Sequence, residues 1–208
     1  MAQDLITRTS VAAILLAAGE STRMAETKAL LPWQGVPLVR YQVEQLSGAG
    51  ASEVVIVLGH KANELQKALD EGELPSYAHT VVNKDYRQGK TTSIKAGLRS
   101  IREPYRGVVQ LAVDQPRPGS VLRRLIEAHL AGGNMISIPS HEGKLGHPPI
   151  FDAALVTELL EITEEKEGIR EIIERHRQRV REVPIESAVV LTNLNTKEEY
   201  QSARRVFG

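Results

Sequence analysis

Three apolar runs dominate the chain, and each stops at a residue that does not continue the packing. Val11 to Ala18 ends at Gly19, Glu53 to Leu58 at Gly59, and Gly107 to Val113 at Asp114. The first run lacks polar alternation, which is the pattern of a strand covered on both faces in a parallel sheet. Segments with helical spacing lie between the runs. Pro37 opens one with Leu38, Tyr41, Gln42 and Leu46, closed by Gly48 to Gly50. Ala62 to Leu69 reads as a second, and Gly89 leads into a third through Ser93, Ile94, Gly97, Leu98 and Ile101. A fourth runs through Val121, Leu122, Leu125, Ile126 and His129. Thr80 to Val82, Asn134 to Ile138, Glu182 to Ile185 and Ala188 to Leu191 read as further strands. Pro148 to Phe151 reads as extended and Ala153 to Leu160 as helical.

This alternation predicts an α/β fold: one doubly wound, mostly parallel sheet with helices on both faces. It predicts one domain over 11–208 behind a flexible lead-in over 1–10. Ligands of such sheets collect beyond the carboxyl ends of the strands. Gly19, Gly59 and Asp114 therefore predict one shared site. Thr163 to Glu182 carries twelve charged residues in twenty, six of each sign, with Ile169, Ile172, Ile173 and His176 as a stripe. That pattern predicts a solvated helix with one buried face. Thr196 and Glu199 have the spacing of a capping box for a last helix.

Composition narrows the function. The 208 residues carry 26 Lys plus Arg and 26 Asp plus Glu. This balance argues against a nucleic-acid partner, which needs a basic surface, but leaves room for a small phosphate-bearing ligand. The absence of Cys excludes disulfides, thiolate metal sites and a Cys nucleophile. No apolar run approaches the ~18 residues of a membrane span, and Met1 to Ser10 has no signal-peptide core. The expectation is a cytoplasmic protein with no membrane partner.

The loop after the first strand reads Leu16-Ala17-Ala18-Gly19-Glu20-Ser21-Thr22-Arg23-Met24, with Lys28 five residues past Arg23. Small residues at a strand end admit a ligand close to the backbone, and exposed N–H groups there hold phosphate oxygens. Neither the GxxxxGK[ST] nor the GxGxxG pattern is present. The alternative for this loop is a surface turn with two solvated cations.

A strand running into LAAG-x-S-x-R-M, then Lys, then Leu-Pro resembles the signature of nucleotidyltransferases, and more narrowly that of the MobA-like NTP transferases. That family includes the molybdenum cofactor guanylyl- and cytidylyltransferases. The resemblance continues through Gly35-Val36-Pro37-Leu38, Val55 to His60, Asn83 with Gly89, Ser93 and Gly97-Leu98, Asp114-Gln115-Pro116, Gly146-His147-Pro148 and Asn193-Leu194-Asn195-Thr196. It implies a Rossmann-like nucleotidyltransferase fold and attack of an acceptor phosphate on the α-phosphorus of an NTP, with pyrophosphate leaving. Arg23 and Lys28 would hold the β- and γ-phosphates, and Asp114 a Mg²⁺ ion bridging phosphate oxygens. Leu16, Ala17, Ala18 and Gly19 would face the nucleotide, with Asn83, Gly89 and Ser93 completing the base and sugar pocket. His147 would serve the acceptor or be structural. Asn195 would support the metal, or Asn193 and Asn195 would be turn formers.

Two positions depart from the family pattern. Ala25 stands where Gly often follows R-M, and both acidic positions of the late D-x-D-T segment are Asn. The LAAG sequence resembles the cytidylyl members, and the Cβ of Ala18 narrows the pocket towards a pyrimidine. The implied reaction is CMP transfer from CTP to molybdopterin, with a recipient molybdoenzyme as partner. The alternatives are a GTP-dependent guanylyltransferase, a sugar- or alditol-phosphate nucleotidyltransferase, and a non-catalytic nucleotide-binding accessory protein.

Overall fold

Val11–Ala17 (β1) is an interior strand of the main sheet, and all of its residues are buried. The computed structural model describes residues 10–21, 24, 26–72, 74–102 and 104–208. In chain order, the elements after β1 are a small hairpin of Pro32–Trp33 (β2) and Val36–Pro37 (β3), then helix Leu38–Gly48 (α1) and strand Glu53–Leu58 (β4). Ala62–Asp70 (α2), Ala78–Val82 (β5), Lys90–Ser100 (α3), Gly107–Ala112 (β6) and Gly119–Leu130 (α4) follow. The last part holds Ile136–His141 (β7), Lys144–Leu145 (β8), Ile150–Asp152 (β9), Val156–Leu159 (α5), Ile169–Arg175 (α6), Val180–Pro184 (β10) and Lys197–Phe207 (α7).

The main sheet runs β10-β7-β9-β6-β1-β4-β5, with β8 paired to β7. β1 is parallel to both neighbours: Leu16 stands opposite Val57 on one side and Ala112 on the other. β1 feeds β4 on one side and the chain later returns to β6 on the other, so the strand order reverses at β1. Ligand crevices form at such a reversal. Alternate residues of β1 face opposite layers. Val11, Ala13, Leu15 and Ala17 pack with Leu38, Leu46, Leu122 and Leu125 of α1 and α4. Ile14 and Leu16 pack with Ile94 and Leu98 of α3. Helices therefore cover both faces, as the sequence predicts. Gly97 sits where α3 crosses the sheet, and a Cβ there would lie 2.5 Å from Ile14 Cγ2.

β9 runs antiparallel to both β6 and β7. A residue just before an antiparallel strand lies at the same sheet edge as a residue just after a parallel one. The Gly146–Pro149 turn thus joins Gly19 and Asp114 at one edge, and Pro149 O accepts from Gln110 N at 3.1 Å.

Three expectations need correction. Thr163 to Glu182 is not one helix: α6 covers only Ile169–Arg175, and the chain then enters a 3-10 turn and β10. Glu167 and Gly168 both take positive φ, +61° and +60°, which stops helical propagation before Ile169. Ala188 to Leu191 is a 3-10 helix, capped by Ser187 Oγ accepting from Val189 N. Its valines are buried without extending the sheet, since a four-residue apolar run fits a helical turn as well as a strand. β7 starts at Ile136 because the side chain of Asn134 turns inward to Ser137 Oγ at 2.7 Å. Residues 1–9 of the expected lead-in lie outside the described residues. Ser10 is buried and donates to Pro104 O at 2.8 Å. Among the described residues no helix is long and apolar enough to cross a membrane.

Candidate active site

A cleft of about 310 Å³ opens at the carboxyl edge of β1 and β6. Leu16, Ala17, Ala18 and Gly19 form one wall, Gly89 and Ser93 another, and Lys28 and Asp114 the polar rim. Four stretches of sequence, 16–21, 27–29, 86–93 and 112–114, meet here because the parallel strands end at this edge. The Lys28 ammonium lies 2.9 Å from Asp114 Oδ2, with both side chains largely shielded. Lys28 is placed by a 3-10 turn, Lys28–Leu30, and its backbone N–H donates to Ser21 Oγ at 3.1 Å. Arg23 and Ala25, both singled out by sequence, lie outside the described residues.

Asn83 stands behind the cleft. Its Nδ2 donates to Thr92 Oγ1 and Ser93 Oγ, each at 2.9 Å, and its Oδ1 accepts from Asp85 N at 3.0 Å. It fixes the hydroxyl of Ser93 rather than lining the cavity. Gly89 has φ +119°, and a Cβ there would run into the Glu164 side chain. Glu164 Oε1 accepts from Thr91 N at 2.6 Å and so satisfies a free N–H of the first turn of α3.

Asp114 is held from below. Its carbonyl accepts from Leu194 N at 2.9 Å, which brings the Asn193–Asn195 segment beside it. Gln115 Nε2 donates to Asn193 Oδ1 at 2.8 Å. The backbone N–H of Asn195 donates to Glu199 Oε2 at 2.7 Å and extends the capping box of Thr196 and Glu199 on α7. Both asparagines thus help build the turn before α7, and the segment still borders the metal-type carboxylate.

A second cleft of about 730 Å³ adjoins the first, with Lys90 on the rim of both. His147, Ile94, Ile138, Ile173 and Arg170 are among its walls. Burial first, then Lys90 and Arg117, push the His147 imidazole down to about 4, so it is neutral at physiological pH. The crowded rim likewise lowers the Lys90 ammonium, and Arg170 adds to this against the opposing pull of Asp114 and Glu164.

Sequence reasoning missed Tyr86, Lys90 and Arg117 here and gave Ser21 of the first loop no separate role. Tyr86 lines the smaller cleft, and Lys90 borders both clefts. Ser21 fastens the first loop. Arg117 is fully buried and donates to the carbonyls of His147, Pro116, Val190 and Thr192 at 2.8–3.0 Å. Burial lowers its guanidinium to about 9, still charged at neutral pH. Tyr86 and Lys90 flank Gly89, which was the available signal. Nothing local marks Arg117.

A family model for the MobA-like NTP transferase domain matches residues 13–183. The chain belongs to this family. Among curated relatives, the bifunctional protein GlmU of Anaeromyxobacter dehalogenans is 32% identical over 181 residues, covering 80% of this chain and 36% of that protein. The chain spans about a third or less of the length of the GlmU proteins it matches. The nicotine blue oxidoreductase of Paenarthrobacter nicotinovorans is 35% identical over 154 residues, covering 70% of this chain and 72% of that protein. Among solved structures, Rv0371c of Mycobacterium tuberculosis in complex with manganese superposes with TM-score 0.77 at 23% identity, over 95% of this chain and 98% of that one. At that identity the likeness is one of fold.

Proposed function

We propose that the chain transfers CMP from CTP to molybdopterin or the molybdenum cofactor and releases pyrophosphate. The observation that carries this reading is the Lys28–Asp114 pair on the rim of a cleft walled by Leu16 to Gly19. Family membership supports nucleotidyl transfer in general. Choice of CTP rests on Ala18, which lines the cleft and whose Cβ would leave a purine less room. An acceptor phosphate oxygen bonds to the α-phosphorus, and the bond from that phosphorus to the bridging oxygen breaks, its electron pair leaving with pyrophosphate. Lys28 and Arg23 offset charge on the leaving group. Ser93, held by Asn83, and Tyr86 orient the ribose and base.

The donor set suits Mg²⁺. Asp114 offers one hard carboxylate, and Asn195, next to Leu194 whose N–H meets the Asp114 carbonyl, would add a neutral oxygen. A cation of this kind takes its remaining ligands from phosphates and water, and held by Asp114 it would offset negative charge on the nucleotide. The manganese-bound fold neighbour is consistent with a divalent ion at such a site. The labile product would pass to a recipient molybdoenzyme. The protein would work in the cytoplasm as a single domain over 11–208.

Pyrophosphate release tests this directly, with molybdenum cofactor as acceptor and CTP or GTP as donor. Release with CTP that is lost in Asp114→Ala supports the reading. Release with GTP alone transfers it to guanylyl chemistry, and release only with a sugar or alditol phosphate changes the acceptor.

A second reading follows from one likeness, the relative whose name is that of an oxidoreductase. Reduction of a dye substrate by a supplied electron donor, with no pyrophosphate release from any NTP, would favour it.

A further inference from the structure

The N-cap residue of α3 is Gly89, which has no side chain to meet the free N–H groups of the first turn. A distant part of the chain supplies the missing acceptor: Glu164 Oε1 takes the Thr91 N–H at 2.6 Å across 73 positions of sequence. Gly89 makes room for it, since a Cβ there would overlap the Glu164 side chain. Gly168 closes on the same turn, and a Cβ on it would stand 3.2 Å from Thr91 Cγ2. The stretch between is folded tightly, with Glu167 N donating to Glu164 O at 3.1 Å and Gly168 N to Thr163 O at 2.9 Å. Ile162 before it and Ile172 after it are buried in the layer that holds Ile94 and Leu98 of α3. The segment is a strap, anchored at both ends beside the helix whose first turn it caps.

That turn lies between the two clefts. Gly89, Lys90 and Ser93 line the smaller one, and Lys90, Thr91 and Ile94 line the larger. Glu164 and Gly168 line the larger cleft and not the smaller. We infer that Glu164 is a positioning residue: from the wall of the larger cleft it fixes the first turn of α3 through Thr91, and so holds the Gly89-to-Ser93 wall of the smaller cleft in the shape that binds nucleotide. The inference rests on the nucleotide-binding part of the reading above. The charge of Glu164 acts together with that of Asp114, since both favour the ammonium form of Lys90 on the shared rim. Nucleotide affinity thereby depends on a segment that faces the second cleft, and one hydrogen bond links the two.

The test measures Mg·CTP and Mg·GTP affinity by calorimetry for the full-length wild type, Glu164→Ala, Glu164→Gln and Glu174→Ala, with circular dichroism as the folding control. Glutamine keeps an acceptor for Thr91 N–H and loses the charge. Glu174→Ala removes a carboxylate of the same cleft that has no bond to α3. The expected result is about fivefold weaker nucleotide binding in Glu164→Ala, the scale of a lost helix cap. Glu164→Gln and Glu174→Ala should stay within about twofold of the wild type. Amide hydrogen exchange should quicken over 89–93 in Glu164→Ala, with α4 unchanged. Unaltered nucleotide affinity in folded Glu164→Ala overturns the proposal, as does an equal loss in Glu174→Ala or a glutamine variant as weak as the alanine one. If the wild type binds neither nucleotide, the nucleotide reading fails by itself. The exchange rates then decide the strap alone: faster exchange confined to 89–93 upholds it, and no change removes it.

Discussion

Lys28 Nζ reaches Asp114 Oδ2 at 2.9 Å across 86 positions of sequence, and the pair forms the polar rim of the smaller cleft. Either partner alone would leave an uncompensated charge in a shielded place. Asp114→Asn keeps the shape and removes the charge needed for a cation. It should reduce pyrophosphate release by about 10²–10³-fold or more and leave the fold intact by circular dichroism. Lys28→Met should show a loss of the same order, and the double variant should be less than additive because the two side chains interact.

Asn83→Ala removes the donors that fix Ser93 and Thr92 and the acceptor for Asp85 N. Buried groups left without partners cost about 1–3 kcal/mol, read as a lower denaturation midpoint. Nucleotide affinity should fall with it. Asn83→Asp should not restore affinity, because a carboxylate cannot donate to two hydroxyls.

His129 is 1% exposed and its imidazole is lowered by burial to about 4. The unfolded chain takes up that proton near 6.5, the folded chain only near 4. The unfolded state therefore holds more protons between these values, and stability falls as the pH drops from about 6.5 to about 4. For His129 the full effect is on the order of 3 kcal/mol, and His147 acts in the same direction. Denaturant melts at pH 7, 5.5 and 4 should show this decline, with a shallower slope in His129→Gln.

Arg117→Lys keeps a charge but cannot serve the four carbonyls of His147, Pro116, Val190 and Thr192. Loss of charged hydrogen bonds should destabilise the chain by about 1.5–3 kcal/mol. Because one of those carbonyls belongs to His147, acceptor KM should rise more than nucleotide KM.

Gly89→Ala forces a side chain into φ +119° and against Glu164. A destabilisation of about 1 kcal/mol or more follows from the backbone alone. A Gly89→Ala, Glu164→Ala double variant that recovers part of the loss would separate the contact from the backbone strain.

The central strands were legible because β1 and β4 are covered on both faces and their sequences have no competing period. The strand-end residues Gly19 and Asp114 followed, since geometry puts every parallel strand's end at one edge. β9 was legible as extended but not as antiparallel: direction depends on pairing with β6 and β7, which no local pattern encodes. The charged segment misled because Ile169, Ile172 and Ile173 carry a helical stripe, while Glu167 and Gly168 impose positive φ just before it. Arg117 was unreadable for a related reason. Three of its four acceptors come from segments 30 to 75 residues away, so its burial is a property of the assembled fold.

The reversed direction of β9 separates two inheritances. The loops after β1 and β6 hang from strands that also hold the core together, so a change of length there disturbs both. The Gly146–Pro149 turn hangs from a strand of only three residues, paired between β6 and β7. Residues inserted into it remodel one side of the larger cleft and leave the loops of the smaller cleft in register. A lineage built on this scaffold can therefore exchange what it recognises while conserving what it does to it, and a designer grafting new turns between β8 and β9 inherits the same freedom.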